Sequence, residues 1–173
     1  ESYGYKVETE VMDKDGVSAA ALCAEMTMYW RSQGQSLLEH LDNMYKEYGY
    51  FEDRAISQNF PGMEGSAVMA GIMAKLREEG LKTLGGKKVV QIRDIKTSTV
   101  FNPENPSEKT AIDLPKSNVL QFFLEDGSIV SARPSGTEPK IKFYMGVKGT
   151  SLEDAQAKVE KLTEDLKAVV GVE

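Results

Sequence analysis

Two stretches of helical periodicity open the chain, each with its own start and stop signals. Residues 15 to 32 are predicted to form a helix, with Asp15 as N-cap and Gly34 just past its end. The run Ala19 to Ala24 is apolar almost all round, which predicts that this helix is covered on more than one side. A second helix begins at the capping box Ser36-Leu37-Leu38-Glu39 and stops at Gly49. Residues 1–49 are therefore expected to form the C-terminal part of an α/β domain.

From residue 50 onward the pattern alternates between strands and helices, and the turns are well marked. A helix is predicted from Pro61-Gly62 to about Glu79, and a final helix from the cap at Ser151. Asp126-Gly127 is the signal of a tight hairpin, and residues 97 to 116 are expected to be a polar loop. The predicted strands are 50–59, 88–94, 120–124, 128–131 and 141–147. Residues 50–173 are thus predicted to be one α+β domain with its helices on one face of a sheet.

Composition and charge narrow the range of functions. The 173 residues are 40% hydrophobic and 28% charged, with a net charge of −6. An acidic chain of this kind disfavours a nucleic-acid partner, because such surfaces cluster basic residues. No apolar run is long enough to span a membrane. The single cysteine, Cys23, cannot form an internal disulfide, and we expect it to be buried in a protein of the cytoplasm.

The segment after the predicted hairpin combines residue types that bind phosphate. It reads RPSGTEPK, residues 133–140. Arg133 offers a planar set of donors that fits phosphate oxygens, and Ser135 and Thr137 add hydroxyl groups. Gly136 between them can take a positive φ and bring bare backbone N–H groups close to an anion. An ordinary turn would need neither the arginine nor the two hydroxyls, so the residue types favour an anion site.

Three motifs in the same order resemble one enzyme family. RPSGTEPKIKFY (133–144) resembles the phosphate-binding loop in the last domain of the α-D-phosphohexomutases, the family of phosphoglucomutases and phosphomannomutases. Glu1 to Tyr5 resembles the end of the family's sugar-binding loop, and Asp13 to Ala20 resembles the segment that follows it. The resemblance implies a four-stranded antiparallel sheet packed against helices, similar in shape to the TATA-binding-protein fold. It also implies that residues 1–49 are the end of the third, sugar-binding domain and residues 50–173 the fourth, phosphate-binding domain.

What the resemblance implies about activity extends beyond this chain. The intact enzyme would interconvert glucose 1-phosphate and glucose 6-phosphate through glucose 1,6-bisphosphate and an enzyme phosphoserine, with Mg²⁺. Because the chain opens without Met and inside a motif, we expect it to be a fragment that is inactive alone. The phosphoserine and the Mg²⁺ site would belong to missing N-terminal domains, which are its expected partners together with the phosphosugar. No metal site and no membrane partner are expected in this chain.

The resemblance also assigns candidate site residues. It implies that Glu1 and Ser2 bind the sugar and that Lys14 assists proton transfer or phosphate binding. His40, the one histidine, has no clustered ligand and is expected to be structural. The predicted phosphate-binding residues are Arg133, Ser135, Gly136, Thr137 and Lys142.

Several other functions are compatible with the sequence. A phosphopentomutase or phosphomannomutase fragment would carry the same kind of loop, and so would a non-catalytic phosphosugar-binding module. A TATA-like nucleic-acid binder would share the fold but not the acidic charge.

Overall fold

The computed structural model describes Lys6, Glu10 and residues 13–171. The chain divides into two compact units, Glu1–Tyr48 and Gly49–Glu173. In the part of the chain that the structure describes, no helix has the length and apolar character needed to cross a membrane.

The described part of the first unit consists of two packed helices, α1 (Gly16–Ser32) and α2 (Leu37–Tyr48). Asp15 caps α1 by accepting hydrogen bonds from the amides of Val17 and Ser18, at 2.8 and 2.7 Å. The capping box of α2 is present as expected: the Ser36 amide donates to the Glu39 carboxylate at 2.7 Å, and the Glu39 amide donates to the Ser36 hydroxyl at 3.2 Å. Both predicted helices are confirmed, within one residue or so of the expected bounds.

The prediction that α1 is covered on more than one side is wrong for this unit. Neither helix has a buried residue, and Cys23, expected to be buried, is exposed. The physical reason is that one neighbouring helix covers only one side of another. His40 stacks on Trp30 with ring centroids 3.5 Å apart, which is the structural role expected of it.

The second unit is an antiparallel sheet with two helices on one face. Along the sheet the strand order is β1-β8-β7-β6-β3-β4-β5, and β2 pairs with β3. Its strands are β1 (Tyr50–Asn59), β2 (Thr83–Leu84), β3 (Lys87–Asp94), β4 (Thr99–Asn102), β5 (Asn105–Ala111), β6 (Leu120–Leu124), β7 (Ile129–Pro134) and β8 (Lys140–Gly149). Its helices are α3 (Gly65–Glu78) and α4 (Leu152–Val170).

The core lies between the helices and one face of the sheet. Alternate residues of β8 are buried, and they pack with residues of α3 and α4. The largest fully buried side chains include Phe122, Phe143, Met73, Leu84 and Ile92. Because strand side chains alternate between faces, the intervening residues of β7 and β8 lie on the opposite face of the sheet.

The polar loop expected over residues 97–116 is largely a hairpin of β4 and β5. Every residue of β5 is exposed, so the strand shows no hydrophobic alternation that sequence reasoning could detect. Backbone pairing to β4 holds it instead, and the turn is closed by the Glu104 amide, which donates to the Asn102 side chain at 2.9 Å. As the edge strand of this sheet, β5 also tolerates Pro106.

The α+β class, with an antiparallel sheet packed on helices, is confirmed. The sheet has more strands than the four expected, mainly because the β4–β5 hairpin extends it at one edge.

Candidate functional site

The predicted phosphate-binding segment forms the connection between β7 and β8. The two strands pair up to the loop, with Pro134 opposite Ile141 and Arg133 opposite Lys142. Pro134 and Ile141 belong to the core face, since Ile141 is fully buried. Arg133 and Lys142 therefore lie side by side on the opposite face, at the end of the sheet where the loop emerges.

A third polar residue continues this row onto β1. Ser57 lies opposite Lys142 in the β1–β8 pair, which runs in register over ten residues from Tyr50 to Asn59. Arg133 and Ser57 are exposed and Lys142 is half-buried. A polar row of two cations and a hydroxyl thus crosses three adjacent strands below the loop.

Inside the loop, the two predicted hydroxyl groups are neighbours. Ser135 Oγ and Thr137 Oγ1 lie 3.4 Å apart. Ser135 Oγ also accepts hydrogen bonds from the amides of Thr137 and Glu138, each at 3.3 Å. The loop is closed at its base by the Ser135 amide, which donates to the Lys140 carbonyl at 2.8 Å.

The conformation of Gly136 differs from the expected one. It is not among the glycines with positive φ in the described chain, so the loop does not use it to present bare amides. The reason is local, because the Ser135 hydroxyl caps the amides of Thr137 and Glu138 and turns the chain without a left-handed residue. A Cβ at Gly136 would meet nothing within 4 Å, so this side of the loop is open.

Glu138 forms an ion pair within the loop. Its carboxylate lies 2.5 Å from Lys140 Nζ. The pKa of Glu138 is lowered chiefly by the hydrogen bond and positive charge of Lys140, with a smaller contribution from Lys142. Glu138 is therefore ionised at neutral pH and forms an ion pair with Lys140.

The loop is anchored to its surroundings through backbone groups. The Phe60 amide donates to the Pro139 carbonyl at 2.8 Å. Gly65, the first residue of α3, lies so close that a Cβ there would stand 1.8 Å from the Phe60 carbonyl oxygen and 3.1 Å from Pro139. The end of β1, the start of α3 and the loop are thereby packed together, which fixes where the loop can sit.

The sequence analysis did not predict Lys140 as a residue of the site, and it did not predict the packing of the loop against Phe60 and Gly65. The signal for Lys140 was present, because its even spacing from Lys142 places both on the same face of β8. The contact at Gly65 had no comparable signal, since a glycine at a helix start is also common for other reasons.

The other predicted site residues lie elsewhere. Lys14 belongs to the first unit, where its ammonium is 3.7 Å from the Asp13 carboxylate, directly before the cap of α1. Glu1 and Ser2 fall outside the described residues. Among the described residues, no group of three or more His, Cys, Asp or Glu side chains could hold a metal ion, so they do not fit a Mg²⁺ site.

A protein-family model described as "Phosphoglucomutase/phosphomannomutase, C-terminal domain" matches residues 67–165. This match contains the whole β7–β8 loop and the row beneath it on β7 and β8, and it covers more than half of the chain.

Curated relatives carry related names. A phosphoglucomutase of Staphylococcus haemolyticus (strain JCSC1435) is 35% identical over 147 residues, which is 85% of this chain and 26% of that protein. A phosphoglucomutase of Staphylococcus aureus (strain USA300) is 34% identical over 162 residues, or 94% of this chain and 29% of the relative. The chain thus spans between a quarter and a third of the length of these relatives.

Among solved structures, the chain is similar to the open form of an exocytosis-sensitive phosphoprotein from Paramecium, pp63/parafusin, a phosphoglucomutase. The TM-score is 0.49 and the identity 16%, over 92% of this chain and 27% of the other.

Proposed function

This chain belongs to the phosphoglucomutase/phosphomannomutase family, whose C-terminal domain matches residues 67–165, and we propose that it supplies the substrate-phosphate clamp of a phosphohexomutase. The clamp consists of Arg133, Ser135, Gly136, Thr137 and Lys142. It holds the phosphate that does not react, and so determines which sugar hydroxyl faces the catalytic centre.

The observation that supports this most is the cross-strand pair of Arg133 and Lys142 directly beneath a loop with two adjacent hydroxyls. A phosphate dianion at this position is attracted by both side chains, and Arg133 can bind two of its oxygens at once. The open side of Gly136 leaves room for the sugar end of the ligand.

The loop's own hydrogen bonds suggest how the phosphate is accepted. The amides of Thr137 and Glu138 donate to Ser135 Oγ. A phosphate oxygen is a stronger acceptor than a hydroxyl, so it takes the place of Ser135 Oγ as the acceptor of these two amides. The Ser135 hydroxyl can then donate to the same phosphate. The clamp then gains two amides and a hydroxyl without unfolding the base of the loop.

We propose interconversion of glucose 1-phosphate and glucose 6-phosphate as the reaction of the longer enzyme. The names of the curated relatives support this choice of sugar. The phosphoryl group passes between an enzyme phosphoserine and the sugar, with glucose 1,6-bisphosphate as intermediate. Binding the distal phosphate contributes positioning, because it restricts the reacting hydroxyl to a productive orientation. Mannose and pentose phosphates are the alternative substrates.

The parts of the enzyme outside the clamp have separate roles. Residues 1–49 end a sugar-binding domain, in which Glu1 and Ser2 contact the sugar and Lys14 assists proton transfer or phosphate binding. The phosphoserine and the Mg²⁺ that the family uses belong to other parts of a cytoplasmic enzyme, so no step is assigned to the metal in this chain. Closure of this domain over the substrate would complete the site.

Substitution of Arg133 in the full-length parent enzyme tests the clamp. Arg133→Ala is expected to raise the KM for glucose 1-phosphate by about ten- to a hundred-fold, because it removes one or two charge-assisted hydrogen bonds. Arg54→Ala is the matched control, since Arg54 lies on the helix side of the sheet, where it forms an ion pair with Glu160 of α4 at 2.5 Å. An unchanged KM for Arg133→Ala would contradict the clamp.

Calorimetry of the 173-residue chain with glucose 6-phosphate separates the mutase domain from a self-sufficient phosphosugar-binding module. A domain that needs the rest of the enzyme should bind weakly, with a Kd above about 1 mM. Submillimolar binding would favour the independent module instead.

A further inference from the structure

A cavity lies at the opposite end of β7 from the phosphate loop. It is bounded by the β2–β3 turn at Gly85, the β6–β7 turn at Asp126 and Ser128, and the α4 side chains of Lys158, Lys161 and Leu162. Its volume is about 210 Å³. Because β7 is six residues long, the cavity and the loop are separated by about 20 Å of strand.

The cavity contains a buried hydroxyl group without a hydrogen-bond partner. Ser128 is 1% exposed, and its Oγ has no partner within the part of the chain that the structure describes. Its backbone is satisfied, since the amide donates to Asp126 at 3.0 Å and the carbonyl accepts from the Leu124 amide at 2.9 Å. A buried hydroxyl left in this state is unfavourable, so Ser128 Oγ, which as it stands exposes almost no surface, gains a partner if it turns toward an acceptor in the cavity.

Three lysines and one carboxylate, that of Asp126, line the same cavity. Lys87 and Lys161 line it, and across the described residues neither ammonium has a carboxylate within 4.0 Å. Lys158 is already engaged, because its Nζ donates to the Lys148 carbonyl at 2.9 Å and lies 3.2 Å from Asp154. In a chain with a net charge of −6, two such ammonium groups at one cavity favour an anion.

The β2–β3 turn helps to hold one of these lysines in place. Gly85 and Gly86 both have positive φ, 61° and 70°. A Cβ at Gly86 would stand 2.6 Å from Lys161 Nζ, so the ammonium lies directly over the turn backbone. The bare turn thus allows Lys161 to reach the edge of the cavity.

We propose that this cavity binds a small organic anion. Its charged group is held by Lys161, Lys87 and the Ser128 hydroxyl. Its compact apolar body lies on Leu124 and Leu162, which also line the cavity. The site is separate from the phosphate loop, and the proposal does not depend on the mutase function.

The test is an NMR titration of the 173-residue chain with phenyl phosphate, which carries both a dianion and a compact apolar ring. Saturable shifts are expected for the amides of Gly85, Gly86 and Ser128. Inorganic phosphate should shift the same amides only at about ten-fold higher concentration, because it lacks the apolar body. Shifts confined to residues 133–142 would overturn the proposal.

Two exposed lysines of α4 give a matched pair of variants. Lys161→Met is expected to weaken binding of phenyl phosphate at the cavity about ten-fold, because it removes one charged donor. Lys167→Met removes the same charge farther along the helix, away from the cavity, and should leave the affinity unchanged. If the two substitutions weakened binding of phenyl phosphate equally, the affinity would depend on the overall charge of the chain. That result would contradict a site at Lys161.

Ser128→Ala tests the hydroxyl separately. If Ser128 donates to the ligand, the variant binds phenyl phosphate about three- to ten-fold more weakly while the chain stays folded. Unchanged affinity would rule out the hydroxyl as a donor and contradict the proposed arrangement.

Discussion

The two units of this chain are both rich in apolar residues, but they use them differently. In the first unit, neither α1 nor α2 has a buried residue, and Met28 remains 73% exposed. In the second unit, alternate residues of β8 are almost completely buried against α3 and α4, and Phe143 is 1% exposed. Periodicity and capping are therefore enough to specify a helix, whereas burial depends on how many neighbours the fold supplies. The first unit is defined by local signals and the second by its packing.

The largest expected effect comes from removing a core side chain of the second unit. Phe143→Ala should lower the free energy of unfolding of this unit by about 3–5 kcal/mol, because it leaves a cavity under the sheet. Hydrogen exchange of the β7 and β8 amides measures this loss. Met28→Ala in the first unit is the control and should change stability by less than about 0.5 kcal/mol.

The single tryptophan, Trp30, gives a second measurement of the contrast between the two units. Trp30 lies in α1, so its fluorescence reports on the first unit. Phe143→Ala should leave the Trp30 transition in urea where it was. If the two transitions shifted together, the units would unfold as one and the contrast between them would be wrong.

A polar contact of the second unit should have a smaller effect. Arg77 on α3 lies 3.3 Å from Asp94 at the end of β3, and Asp94 is 5% exposed. Arg77→Met is expected to destabilise the unit by about 2–3 kcal/mol, because a buried carboxylate loses its charged partner. In a double-mutant cycle, Asp94→Asn should cost less when it is combined with Arg77→Met than when it is made alone. Additive free energies would show that the pair is not coupled.

Two glycines provide the next comparison. Gly65→Ala places a Cβ 1.8 Å from the Phe60 carbonyl oxygen and should cost about 1–3 kcal/mol through the shift of β1 or α3 that it forces. Gly136→Ala meets nothing within 4 Å and should change stability by less than about 0.5 kcal/mol. Thermal unfolding of both variants measures the difference, and similar losses would mean that the close contact at Gly65 is not rigid.

The smallest effect concerns the caps of the first unit. The pKa of Asp15 is lowered chiefly by the hydrogen bond from the Ser18 hydroxyl, and that of Glu39 chiefly by the Ser36 amide. Since both folded pKa values are depressed, the caps stabilise their helices above the ordinary values of 3.8 and 4.5, and this stabilisation is lost as the pH falls through the lowered folded values.

The Val17 and Ser18 amide shifts followed by NMR against pH should give a midpoint below 3.8 for Asp15. Asp15→Asn should keep α1 capped but abolish the titration, because asparagine is also a good N-cap and carries no proton to lose. A midpoint at or above 3.8 would contradict stabilisation of α1 by the ionised Asp15 cap.

Most of the secondary structure could be predicted because its signals are local. The capping box at Ser36, the Asp126-Gly127 hairpin and the alternation along β8 each specify an element within a few residues. The β4–β5 hairpin could not be predicted, because β5 is fully exposed and owes its place to backbone pairing. The exposure of α1 was not predicted, because its apolar residues indicated burial on more than one side. Within its unit, however, no residue of α1 is buried.

For the candidate site, the residue types of the loop were predictable but its conformation was not. The adjacency of Ser135 and Thr137 followed from their spacing around Gly136. That Ser135 caps the amides of Thr137 and Glu138, and that Gly136 therefore needs no positive φ, depends on a side-chain rotamer that the sequence does not specify. The roles of Lys14 and of Glu1 and Ser2 stay predictions.

The contact between the Phe60 amide and the Pro139 carbonyl has a consequence for mutagenesis. An alanine scan cannot detect it, because every non-proline residue at position 60 carries the same peptide group. Removing the bond requires a proline at this position, which also alters the backbone angle, or an ester in place of the amide by chemical synthesis. The placement of the loop is thus encoded in the main chain, where side-chain variation among homologous proteins would leave no trace of it.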